Sequence, residues 1–162
     1  MLKAMIVFGA SLLCAACHEA SIPECEFRVT TGRFVSKDHR LTYYNDGTTV
    51  IGIDGHEPSG TDGDIPQSEI RFLSLQLGST TCDVPPEAYA SVFNPHVDCP
   101  EGCMLKCTSP ALLRLTGGDG AGAYTVEWYV DTNAEPAVLR HIWEQPNPDE
   151  VKTRRFPLEV RR

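Results

Sequence analysis

From Cys25 onward, apolar residues recur at every second position in short runs closed by Gly, Pro, Asn or Asp. The run "CEFRVTTGRF" alternates, "TTVIGI" is β-branched, and "EIRFLSLQL" sets Leu73, Leu75 and Leu77 on one face with Ile70 and Phe72 in the opposite phase. Period two over many short segments predicts strands, and the slip at Phe72 and Leu73 predicts a bulge. Strands of this kind bury an apolar face only when paired into a sheet that another layer covers. The expectation is an all-β fold, an antiparallel β-sandwich or open barrel, running from about Cys25 to Val160. One segment departs from the pattern: "PPEAYASVFNP" opens on proline, pairs Tyr89 with Phe93 at i,i+4 and stops at Asn94-Pro95, predicting one short helix over Pro86 to Phe93.

In the later half, "LTGGDGAGAYTVEWYV" carries Gly118, Gly120 and Ala123 at the G-x-G-x-x-G/A spacing of a dinucleotide-binding loop. That chemistry needs a strand before the glycines and a helix after them, whose N-terminus holds the pyrophosphate. Here Tyr124, Val126, Trp128 and Val130 alternate against Thr125, Glu127 and Tyr129, so a strand follows and the glycines belong to a connection. No cofactor is expected. "AVLRHIW" predicts the next strand, with His141 opposite in phase to Arg140, and Trp128 and Trp143 are read as core residues on neighbouring strands. At the C-terminus Phe156, Leu158 and Val160 alternate as one face of a terminal strand, among the cations Lys152, Arg154, Arg155, Arg161 and Arg162. Such exposed cations discourage sheet-to-sheet association.

The 162 residues suffice for one domain with its own core. The N-terminus adds a different signal: Lys3, an apolar run from Ala4 to Leu13, then "LCAAC". A run this short falls below the roughly 20 residues of a membrane span and matches a secretory signal. With Ala15 and Ala16 directly before Cys17, it resembles the signal of bacterial lipoproteins, although Cys14 stands where that family usually has leucine. The resemblance covers residues 1–17 and implies cleavage before Cys17, lipidation of that cysteine and residence in the bacterial cell envelope. The chain then divides into a signal at 1–16, a tether at 17–24 and a β-rich domain at 25–162. Cleavage takes 14 Lys and Arg to 13 against 22 Asp and Glu, and the net charge from −8 to −9. An acidic surface of that kind repels nucleic acid.

Export makes disulfides the expected state of the remaining cysteines, Cys25, Cys82, Cys99, Cys103 and Cys107. At least two bridges are expected among them, one joining Cys82 to the "CPEGCMLKC" cluster. A Cys-rich zinc site is the alternative for that cluster, but Pro100 and Gly102 favour a turn and the paired ligand spacing of a zinc site is missing. If Cys17 is not lipidated it joins the count and makes it even.

Motifs of catalysis are incomplete. His56 and Glu57 begin like H-E-x-x-H, yet Gly60 occupies the fifth position, and neither a G-x-S-x-G elbow nor a P-loop occurs. The broad acidic loop from Asp54 to Pro66 offers Asp54, His56, Glu57, Asp62 and Asp64 as a binding loop, without the spacing of an EF-hand, so no metal is expected. His96 and Asp98, with His56 and Glu57, are the residues a hydrolase would have to use. The function expected is a non-enzymatic envelope lipoprotein that presents loops to an envelope protein as a binding or inhibitory module, with an envelope hydrolase and a plain soluble secreted protein as alternatives.

Overall fold

The computed structural model describes residues 25–97, 102–133 and 135–161. Along them run β1 (Cys25–Arg33), β2 (Leu41–Tyr43), β3 (Val50–Ile53), β4 (Ser68–Leu77), β5 (Thr80–Asp83), β6 (Pro95–His96), β7 (Cys103–Lys106), β8 (Ala111–Gly117), β9 (Tyr124–Asp131), β10 (Ala137–Glu144), β11 (Asn147–Pro157) and β12 (Glu159–Arg161). One sheet has the order β1-β4-β5-β12; the other runs β11-β10-β9-β8, with β6 and β7 both pairing β8; β2 and β3 form a separate hairpin. Every named strand pair is antiparallel. The all-β expectation holds, as a β-sandwich.

Register explains the core. In the smaller sheet Phe27, Leu75, Cys82 and Val160 lie in one row across four strands. In the larger sheet Ala111, Val130, Val138 and Phe156 form one inward row, and Leu115, Val126 and Ile142 another. These rows meet in a single cluster centred on Leu73, Leu75, Val126, Val138 and Trp128, all fully buried. The Trp128 indole N–H is satisfied by the Ala88 carbonyl at 2.9 Å, as a buried donor must be. The predicted bulge is present one residue earlier than the slip suggested: Thr30 faces Phe72 and Thr31 faces Ile70, leaving Arg71 as the extra residue. That extra residue restores Ile70 to the buried face of Leu73 and turns Phe72 outward.

Four expectations need correction. The helix over Pro86 to Phe93 is a 3-10 turn at Pro86–Ala88 followed by further turns, because Tyr89 and Phe93 are drawn into different hydrophobic clusters. Cys82 forms no bridge. Its register between Leu75 and Val160 points it inward, it is fully buried, and burial pushes its thiol pKa up, the condition of an inert cysteine. Trp143 is half-buried on the outer face of β10 and lies outside the core, since it pairs in register with Thr125 and Val151. The C-terminal apolar alternation belongs to two strands: Phe156 lies in β11 of the larger sheet, Val160 sits in β12 of the smaller one, and Leu158 is buried at the crossing.

Both sides of the sandwich are therefore tied. On one, the chain itself crosses between sheets at Leu158; on the other, Cys25 of β1 is disulfide-bonded to Cys107, just after β7. Cys103 is disulfide-bonded as well. Cys17, Cys99 and Asp98 lie outside the described residues. The bridge fits an oxidising, exported environment, and among the described residues no helix is long and apolar enough to cross a membrane.

The glycine run turns a corner. Gly118 has φ 64°, a left-handed conformation open to glycine, and a Cβ on Gly117 would run into the Tyr124 ring. A 3-10 turn at Gly120–Gly122 leads directly into β9, so the helix of a dinucleotide site is absent from this segment.

Candidate functional site

One end of the sandwich carries a cap built from the β2–β3 hairpin and the Asp54 to Pro66 segment. Its apolar base is a second cluster of Phe34, Val50, Ile53 and Phe93, separate from the main core. Polar contacts hold the rest. His39 stacks on Phe34 with ring centroids 4.4 Å apart. Its Nδ1 pairs with Asp54 Oδ2 at 2.6 Å, and its Nε2 lies 3.3 Å from Glu69 Oε2 on β4, an ion-pair separation. Arg71 closes on the other Glu69 oxygen at 2.7 Å. The Arg40 backbone N–H and the His39 ring together hold the Asp54 carboxyl below the usual carboxylate range. At the hairpin tip, Asp46 accepts hydrogen bonds from the Thr48 and Thr49 backbone N–H groups and the Thr49 hydroxyl, which lower its pKa to about 2.

The acidic segment is tightly folded, although its composition suggested a broad loop. Asp54-Gly55 makes a two-residue hairpin turn, both residues at positive φ, with Ile53 and His56 exchanging backbone hydrogen bonds at 2.9 Å. This is the turn that an Asp-Gly pair between strand residues favours. Ser59 then pairs with the Ser91–Phe93 backbone through N–H groups at 2.8 and 3.0 Å and donates its hydroxyl to Glu144. Asn94, in a left-handed conformation, receives the Gln67 and Ser68 N–H groups on Oδ1 and donates from Nδ2 to the Gly60 carbonyl at 2.7 Å.

This folding disperses the five residues of the expected binding loop. Asp54 is engaged by His39, and His56 is part of the tight turn. Glu57 and Asp62 line a cleft of about 390 Å³ together with Ser59 and Glu144. Glu57 also meets Lys152 at 3.1 Å, and Lys152 reaches Glu144 at 2.6 Å. Burial works against the Lys152 charge, but these carboxylates outweigh it and raise its pKa. Asp64 lines a second cleft of about 720 Å³ that also contains His96 and Asp119. The Asp64 and His96 side chains are exposed and make no hydrogen bond or ion pair to each other. Among the described residues no three His, Cys, Asp or Glu side chains converge as metal ligands.

Among its exposed polar groups the cap also leaves large apolar side chains open. Tyr43, Tyr44, Ile51 and Ile65 are 42%, 58%, 46% and 48% exposed. Thr48 and Thr49 at the hairpin tip border the two clefts, which receive Ile51 and Ile65 respectively. Tyrosines over a rigid Thr, Asp and Gly framework combine large contact area with little entropy to lose on binding.

Sequence reasoning did not anticipate the network on the outer face of the larger sheet. Arg114, Glu127, His141 and Thr153 lie in one row across β8 to β11. Glu127 is buried yet charged: burial opposes its ionisation, but the Tyr129 hydroxyl at 2.6 Å and the Arg114 guanidinium outweigh it and lower its pKa. His141 packs edge-on against Tyr129 and bonds Thr153 Oγ1 at 2.9 Å. The period-two pattern had placed Glu127 and Tyr129 on that face; their mutual pairing depends on cross-strand register. Arg140 was missed too. It points inward, is buried, and its guanidinium bonds the Ala88 carbonyl and Ser91 hydroxyl, both at 3.1 Å, beside the Phe156 ring. Burial lowers its pKa to about 10, which leaves it cationic at neutral pH.

No protein-family model, curated protein or solved structure matches the chain.

Proposed function

We propose that the protein is an exported, lipid-anchored, non-enzymatic module that binds another protein of the cell envelope through its cap. The observation that carries this reading is the exposure of four large side chains in the cap, Tyr43, Tyr44, Ile51 and Ile65, each by more than two-fifths. Large exposed apolar side chains close together in the chain are candidates for an interaction site, and tyrosine is among the residue types that dominate binding energy. An inhibitory role is compatible with the same feature, since a hairpin whose polar tip is held by Asp46 and flanked by exposed tyrosines is suited to entering a partner's cleft. The lipid anchor rests on the Cys17 signal and leaves His18 to Glu24 as the tether.

The test is capture from envelope extract with the mature protein. A stoichiometric partner should be retained by the wild type and lost with the double variant Tyr43→Ala, Tyr44→Ala, whose side chains are exposed enough to leave the fold intact. Retention by that variant would move the binding surface elsewhere. For the anchor, Cys17→Ser should shift the protein from the membrane pellet to the soluble envelope fraction; a variant that stays in the pellet refutes lipidation at Cys17.

A further inference from the structure

His39 lies just before β2, Asp54 directly follows β3, and Glu69 belongs to β4. One imidazole ring therefore joins both ends of the β2–β3 hairpin to the body of the sandwich. Its two nitrogens meet the same kind of group: Nδ1 is 2.6 Å from Asp54 Oδ2 and Nε2 is 3.3 Å from Glu69 Oε2. The side chain is 13% exposed, with Phe34 stacked on it. Its Nε2 is buried and has no hydrogen-bond partner among the described residues, so the Glu69 carboxylate is what it faces. A neutral imidazole carries one N–H and one lone pair. Either tautomer sets that lone pair against a carboxylate oxygen in a largely closed site, and only the imidazolium offers a proton to each.

The charged groups around the ring leave both carboxylates a second partner. Arg71 closes on the other Glu69 oxygen at 2.7 Å, and the Arg40 backbone N–H reaches Asp54 Oδ1 at 2.8 Å. The Arg40 guanidinium lies beside Gly55, and His56 closes the Asp54-Gly55 turn. Lys37 and Asp38 are exposed on the 3-10 turn Ser36–Asp38 that leads into His39. Proton loss from the ring thus weakens the junction without stripping either carboxylate of every partner.

We propose that His39 is a proton-operated clamp: while charged it ties both ends of the hairpin to β4, and when it loses its proton the cap loosens on a body that stays folded. Histidine changes charge between about pH 5 and 8, so this is the range in which the clamp works. Its contribution is full while the ring is charged and is lost as pH rises. The hairpin it governs is the one that presents Tyr43 and Tyr44, but the clamp operates whether or not the cap binds a partner.

Amide exchange of the full exported chain, corrected for intrinsic rates, tests it. Protection of Val50–Ile53 relative to Tyr124–Asp131 should fall about tenfold between about pH 5.5 and 8, because hydrogen bonds to charged groups are lost. At the lower pH both ring nitrogens of His39 should carry protons in the nitrogen NMR spectrum. His39→Gln, which cannot be charged, should hold the cap at low protection at both pH values. Glu69→Gln keeps the ring and removes one carboxylate, and should shrink the step, which decides the matter if His39→Gln fails to fold. His56→Gln should leave the step intact. A relative protection that does not change with pH, a neutral His39 ring at the lower pH, or a step that survives His39→Gln, stays undiminished in Glu69→Gln or vanishes with His56→Gln would each overturn the proposal.

Discussion

The sandwich body and the cap bury apolar surface by the same effect but are held in place differently. In the body, rows of Leu, Val, Ile and Trp from two sheets interlock, and its two sides are closed by the Cys25–Cys107 bridge and the crossing at Leu158. In the cap only Phe34, Val50, Ile53 and Phe93 are buried together, with Leu41 against them. Its geometry is set by single polar clips: His39 between Asp54 and Glu69, Asn94 on three backbone groups, and Asp46 on its own turn. A large core tolerates the loss of one polar contact, whereas a small one takes its shape from such contacts. For the proposed binding role that division is an advantage, since the exposed tyrosines lie outside the buried cluster of the cap.

The sharpest way to break the contrast is at Trp128. Trp128→Ala should cost about 3–5 kcal/mol and unfold body and cap in one transition, read by calorimetry, because the indole fills the centre of the core and also satisfies the Ala88 carbonyl. Nearly as large is the loss of the Cys25–Cys107 bridge. It closes a sequence separation of 82 residues, and the loop-closure estimate for Cys107→Ser is about 4 kcal/mol, measured as a lower denaturant midpoint. At Asn94 the effect should be local. Asn94→Ala removes three hydrogen bonds and a left-handed residue that Asn tolerates, at about 2 kcal/mol. Amide exchange should rise over Val50–Ile53 while Tyr124–Asp131 keeps its protection. Equal loosening of both segments would show that the cap is not a separate unit.

The smallest effect is in pH. The Asp54 pKa is depressed in the folded protein, so its stabilising contribution is full above the ordinary carboxylate value of about 3.9 and is lost as pH falls through the folded value. The side chain is 49% exposed, which keeps the contribution below about 1 kcal/mol. Cap amides should therefore exchange faster as pH is lowered from about 5 to 2.5 after correction for intrinsic rates, and Asp54→Asn should flatten that dependence.

Much of the body was legible because its signal is local. Alternation along each run identifies strand and face together, which is why Leu73, Leu75, Val126 and Trp128 fall inside as their phase requires. Trp143 misled because hydrophobicity outweighed phase: it alternates with Ile142, and the buried position belongs to Ile142. The cap was less legible. Its Asp-Gly turn was available as a hairpin signal between Ile53 and His56, but the abundance of Gly, Pro and acids suggested an open loop. Nothing in the sequence joins His39 to Glu69 or Ser59 to Glu144, since those contacts link residues far apart in the chain.

By itself, the order of residues determined the all-β class, the inward and outward face of most strands, the turning role of the Gly117 to Gly122 run and the export-like N-terminus. These depend on backbone sterics and on a period of two, both decided within a few residues. Tertiary structure decided that Cys82 stays free among the described cysteines, where Glu127 and Arg140 find their partners, and how the acidic segment folds onto Ser91–Phe93. Those outcomes depend on register between strands distant in sequence. A shift of one residue would turn Cys82 from the core to the surface and leave Glu127 on the wrong face for Arg114.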